Sequence, residues 1–164
     1  MDLFMVLKTA HVIGATVLFG TGVGIAFFML MAHRTRDPAI IAHTASVVVI
    51  ADLIFTASAV VLQPVTGAAL ARIEGVPLFT GWVGLSLVLY VVTGLFWLPV
   101  VWIQLRLRDL CRRAASAGEA LPAAYFRLFR VWFVFGFPAF GAVAAIIWLM
   151  VAKPDFQAFA YLGR

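Results

Sequence analysis

Four long apolar stretches, separated by short polar breaks, organise the chain. They run from about Leu3 to Ala32, Ala42 to Ala71, Phe79 to Leu105 and Tyr125 to Ala152. A helix crosses the hydrocarbon core of a bilayer with roughly 20 mostly apolar residues. Each stretch therefore predicts one membrane span, and the excess length predicts tilt or protruding ends. The first stretch does not read as a removable signal, because Asp2 spoils the basic start such a segment needs and the apolar run is too long. The breaks at Asp37-Pro38 and Glu74-Gly75-Val76-Pro77 are short enough to force antiparallel neighbours. The longest break, Arg106 to Leu121, is basic and carries Ala-Ala-Ser-Ala-Gly. It reads as two helix ends projecting around a flexible tip. The expected fold is all-α: an integral membrane four-helix bundle forming a single transmembrane domain over residues 1–164.

Composition removes the alternatives. Of 164 residues, 65% are apolar and 12% are charged, and the mean hydropathy is +1.09. A soluble domain of this size faces water with much of its surface and carries about 25% charged residues. A soluble enzyme, a disordered tail and a disulfide-stapled secreted domain are excluded. The net charge of +5 does not call for nucleic acid, because the arginines flank apolar stretches as cytoplasmic loops do. Arg34, Arg36, Arg106, Arg108, Arg112, Arg113, Arg127 and Arg130 fall on one side; Lys8, Arg72, Lys153 and Arg164 fall on the other. The larger group faces the cytoplasm by this rule, so both termini are expected in the periplasm of a bacterial inner membrane. The single Cys111 closes no intramolecular disulfide.

Within a bilayer the polar residues carry the information, since each is costly unless partnered. In the second span Asp52, Thr56, Gln63 and Thr66, with Ala59, are spaced three or four apart and share one helical face. In the third, Trp82, Ser86, Tyr90, Thr93, Trp97, Gln104 and Arg108 do the same, with Val101 filling the gap. Two such faces meet inside the bundle, either as hydrogen-bonded glue between helices or as the lining of a ligand cavity. Asp52, the only acid well inside a span, is expected to be protonated or bonded to Tyr90 or a threonine. A polar pocket of Asp52, Thr56 and Tyr90 is a candidate proton relay.

His11 lies about two turns inside the first span. His33 shares its face but sits 22 residues on, about 33 Å away, so the two cannot hold one metal. His33 adjoins Arg34 and reads as an interfacial cation; His43 reads as facing the headgroups. A neutral imidazole at His11 offers a metal ligand. Its stripe of Ala15, Leu18 and Gly22 leaves room for a flat cofactor, while Gly20 and Gly24 offer the competing reading of close helix approach. Lys8, Arg72 and Lys153 stand at one membrane level, suited to propionates. Pro64, Pro99 and Pro138 each fall in a span and leave the carbonyls of Val60, Leu95 and Val134 without their helical partners.

The runs Leu7-Lys8-Thr9-Ala10-His11-Val12, Leu62-Gln63-Pro64-Val65-Thr66-Gly67, Trp97-Leu98-Pro99-Val100-Val101-Trp102-Ile103-Gln104-Leu105-Arg106 and Trp148-Leu149-Met150-Val151-Ala152-Lys153-Pro154 together resemble a bacterial family of predicted integral membrane proteins, a domain of unknown function. More distantly, the Leu-Lys-x-x-His start and the Lys-Pro finish are similar to the HemJ-type protoporphyrinogen oxidases, which bind haem b, and to the CopD-type copper-resistance proteins. In the HemJ-type family the first-helix histidine is associated with haem, and His11 matches it. That family's third-helix lysine falls at Ser86 here and a later histidine near Trp97, so the resemblance implies a haem site rather than protoporphyrinogen oxidation.

The leading expectation is thus a bundle holding one haem b near its periplasmic side. His11 is the metal ligand, Gln63, Ser86 and Trp82 are pocket neighbours, and Lys8, Arg72 and Lys153 are propionate partners. The activity expected is electron transfer with a membrane quinone or another redox partner, or haem-dependent oxidation. The alternatives are a small-molecule or ion transporter using Asp52, and an accessory or homo-oligomeric scaffold without chemistry. No Walker loop, GxSxG or HExxH is present.

Overall fold

The computed structural model describes residues 2–156, so Arg164, one of the cations counted above, lies outside the described residues. Four helices are long and apolar enough to cross a membrane, and the described residues form no strand. They are α1 (Leu3–Thr35), α2 (Pro38–Glu74), α3 (Gly81–Ala117) and α4 (Ala123–Ala152). α2 and α3 have 37 residues each. At 1.5 Å per residue that is about 55 Å, against a hydrocarbon core of about 30 Å. The long break is accordingly helical on both sides of a tip at residues 118–122.

Local chemistry fixes the ends. Asp2 Oδ1 accepts from the Phe4 N–H at 3.1 Å, and Asp37 Oδ1 accepts from Ala39 at 2.7 Å and Ile40 at 3.3 Å. Each satisfies amides that the first turn leaves unpaired, and Pro38 supplies the preset φ of a first helical position. Gly75 (φ 67°) and Gly118 (φ 65°) close α2 and α3 in the left-handed region that glycine enters without penalty. Arg36 closes α1 at φ 59° without that freedom, its guanidinium 5.0 Å from the Phe126 ring.

α2 is interrupted by a π-turn at Asp52–Thr56, where the Ala57 N–H bonds the carbonyl of Asp52, five residues back. The helices run antiparallel, so both termini share one end and the α1–α2 and α3–α4 turns share the other. The packed core lies at the turn end, where Met29, Ile41, Leu107, Cys111 and Tyr125 are fully buried. α3 and α4 form the most extensive interface, and α1 follows α2 along its length. α2 meets α3 chiefly through the residues before Asp52. Leu53, Val61, Leu95 and Phe137 are exposed, as suits helices whose solvent is lipid.

One sequence expectation is corrected here. His33 is not a free interfacial cation: its ring lies parallel to Phe129, centroids 3.8 Å apart, and its Nδ1 is 2.9 Å from the hydroxyl of buried Tyr125. The ring sits one turn from the end of α1, where its body packs against α4 while its edge stays near the surface.

Candidate functional site

At the termini end, the first turns of α1 meet the last turns of α2 through glycines. A Cβ at Gly67 would lie 3.2 Å from His11 Cε1, and one at Gly14 would lie 2.5 Å from Gln63 Nε2. Glycine at both positions lets each polar side chain settle against the opposite backbone. Gln63 Nε2 donates to the His11 carbonyl at 2.8 Å, and His11 Nδ1 is 2.8 Å from Thr66 Oγ1.

The threonine sets the tautomer. Thr66 Oγ1 is 2.7 Å from the Leu62 carbonyl, to which only its own hydrogen can donate. With that hydrogen committed, Thr66 accepts from His11, so Nδ1 carries the proton. Nε2 is then left with a lone pair and has no hydrogen-bond partner among the described residues. The ring is half-buried. This is the arrangement that orients a histidine for a metal, with the second nitrogen held by an oxygen acceptor.

The other residues expected around His11 are dispersed. Gln63 is engaged with the His11 backbone. Ser86 is buried and donates to the Trp82 carbonyl at 2.7 Å. Trp82 lies under Lys153 Nζ, 5.4 Å from the ring centroid, and Lys153 also approaches Glu74 at 3.7 Å. Lys8 is exposed, 5.5 Å from the Phe4 ring. Arg72 is exposed and lines an open groove of about 530 Å³ with Ala68, Ala69, Val76 and Leu78. Lys153, Trp82 and Glu74 thus gather three helices at this end, while Ser86 is turned to the backbone of its own helix.

A second polar centre sits at the π-turn. Asp52 is 5% exposed. Its Oδ1 accepts from Trp97 Nε1 at 3.3 Å. The network fixes the Gln104 amide so that Nε2 donates to Asp52 Oδ2 at 3.3 Å and Oε1 accepts from Trp132 Nε1 at 3.3 Å. The expectation that Tyr90 bonds Asp52 is corrected: its hydroxyl donates instead to the Val60 carbonyl, the group that Pro64 leaves free. Inserting an aspartate at the centre of a membrane helix costs about 3 kcal/mol, whereas a side-chain hydrogen bond between membrane helices returns about 0.6 kcal/mol. Two long bonds do not offset the cost.

A sequence-family model described as predicted integral membrane protein (DUF2269) matches residues 5–154. The chain belongs to that family. No curated protein and no solved structure matches it. The residues of this DUF2269 member that surround Asp52 were only partly visible in its sequence. Trp97 and Gln104 lie on the polar stripe of α3, but nothing distinguishes Trp132 from the aromatic residues around it on α4. Among the described residues no cluster of three or more His, Cys, Asp or Glu side chains is placed to hold a metal ion.

Proposed function

We propose that this protein binds one haem b through His11 and has a redox or electron-transfer role in a bacterial inner membrane, with both termini in the periplasm. The reading rests on one observation: Thr66 Oγ1, its own hydrogen given to the Leu62 carbonyl, lies 2.8 Å from His11 Nδ1 and accepts from it, which leaves the Nε2 lone pair unshared in a half-buried ring. The donor set suits the group. His11 offers one imidazole nitrogen, and a porphyrin iron brings four nitrogens of its own and asks the protein for axial ligands.

Haem, when bound, supplies one-electron chemistry whose potential follows from its axial ligand and surroundings. The chain's own residues hold and tune it. His11 provides the ligand atom, and Thr66 fixes its tautomer and orientation. Lys8, Arg72 and Lys153 supply positive charge at the same end for propionates, with Arg72 already lining the groove. A membrane quinone fits as redox partner because electrons would leave within the lipid.

The test is a visible spectrum of detergent-purified protein from haem-replete cells, oxidised and reduced. Wild type is expected to show a Soret band that His11→Ala removes. Absence of the band, or a band unchanged in His11→Ala, ends the proposal.

A further inference from the structure

The π-turn around Asp52 has a second consequence, separate from His11 and some 14 residues away along α2 from Thr66. Hydroxyls in these helices commonly bond back to the carbonyl four residues earlier: Thr16 to Val12, Thr44 to Ile40, Ser58 to Ile54, Ser86 to Trp82 and Thr93 to Leu89. Thr56 does not. Its corresponding carbonyl belongs to Asp52, where the π-turn shifts the backbone bond to the Ala57 N–H. Thr56 is 6% exposed, and its Oγ1 is the buried side-chain oxygen left without a hydrogen-bond partner among the described residues. It faces the Asp52 carboxyl.

The remaining partners of Asp52 serve one charge state better than the other. Trp97 and Gln104 present N–H groups, which donate and cannot accept. The accepting oxygen of Gln104 is occupied by Trp132. A hydroxyl alone can serve both states: it donates to a carboxylate and accepts from a carboxylic acid. The two N–H contacts, 3.3 Å each, exceed the roughly 2.7–2.9 Å of a charge-assisted bond, so neither locks the ionised form.

Among the described residues no charged side chain faces this centre from any packed helix. α1 carries none between His11 and His33. On α2 the nearest titratable group is exposed His43. On α3 Tyr90 bonds Val60, and Arg108 turns to Asp109 at 2.9 Å. On α4 the neighbour is Trp132, while Tyr125 is engaged with His33 and Arg130 is exposed. The donors around Asp52 also make a poor cage for a metal cation, which needs oxygen ligands.

We propose that Asp52 is a reversible proton-binding site within the membrane, with Thr56 as the acceptor of its proton and with its occupancy altering how α2 is tied to α3 and α4. When the proton arrives, the carboxyl O–H bonds Thr56 Oγ1. When it leaves, the Thr56 hydroxyl and the Trp97 and Gln104 N–H groups face a carboxylate.

The experiment is infrared difference spectroscopy of the full chain in lipid nanodiscs, stepped through pH, with tryptophan emission recorded in parallel. Wild type is expected to show a carboxyl stretching band that titrates, shifts in heavy water and co-titrates with emission, and that Asp52→Asn removes. Thr56→Val removes the hydroxyl that accepts from the neutral form and donates to the ionised form, and it keeps both N–H donors. It is expected to shift the frequency of the neutral carboxyl band, whose O–H loses its acceptor, and to move the titration midpoint. Thr56→Ser is expected to hold the wild-type midpoint and keeps the test informative if Asp52→Asn does not fold. A carboxyl fixed in one state over the pH range where the helices persist overturns the proposal. So does a neutral carboxyl band that Thr56→Val leaves at the wild-type frequency.

Discussion

α1 carries two histidines on one face, and the structure treats them differently. His33 packs flat on Phe129 and meets the Tyr125 phenol, whose hydrogen is free to point either way. His11 meets a hydroxyl whose hydrogen is already committed to a carbonyl. The first arrangement ties α1 to α4 and leaves the tautomer open. The second fixes the tautomer and leaves one ring nitrogen with nothing to do. The partner's hydrogen, more than burial or helix position, decides whether a histidine's tautomer is left open or fixed.

The strongest challenge to this contrast is at the packed end. Tyr125→Ala should cost about 3 kcal/mol through the cavity it opens in a fully buried site, read as a drop in unfolding midpoint in detergent. A loss no larger than that of a lipid-facing control would remove the structural role assigned to His33 and its partner. Thr66→Val comes next. Losing the oxygen behind a metal-ligating histidine weakens affinity by about 10- to 100-fold, so haem titration of that variant should show such a loss while the helix content holds. Equal affinity would mean that the tautomer argument does not govern His11.

Gly67→Ala probes the close approach itself. Its added Cβ meets His11 Cε1 at 3.2 Å, and the expected cost is about 1 kcal/mol. Gly20→Ala, with no atom within 4 Å, should instead stabilise by roughly 0.5 kcal/mol. Opposite signs in the two melts sharpen the contrast, and like signs blunt it. Glu74→Gln has the smallest expected effect. The pair with Lys153 is 3.7 Å long and half-exposed, so the melting point should change by the equivalent of less than about 0.5 kcal/mol.

The span count was legible because apolar runs of this length have few other fates. The polar stripe of α2 and that of α3 were legible too, since residues three and four apart must share a face. Pro64 announced a free carbonyl at Val60, although not that Tyr90 would meet it. Three features were hidden. A π-turn has no residue signature here, so Thr56 looked like any back-bonding threonine. His33 looked interfacial because its partners are 92 and 96 positions away in sequence. The glycines at 14 and 67 stood outside the Gly20–Gly24 pair that seemed to mark close approach, yet they are the ones against which side chains rest.

Tyr90 reaches from α3 to the break that Pro64 makes in the backbone ladder of α2. A rod with a missing rung bends most easily there, and this one is pinned at that point from a neighbouring rod. The last three turns of α2 therefore behave as a lever whose fulcrum belongs to α3. The hydroxyl that meets the imidazole of α1 belongs to Thr66, two residues beyond the proline.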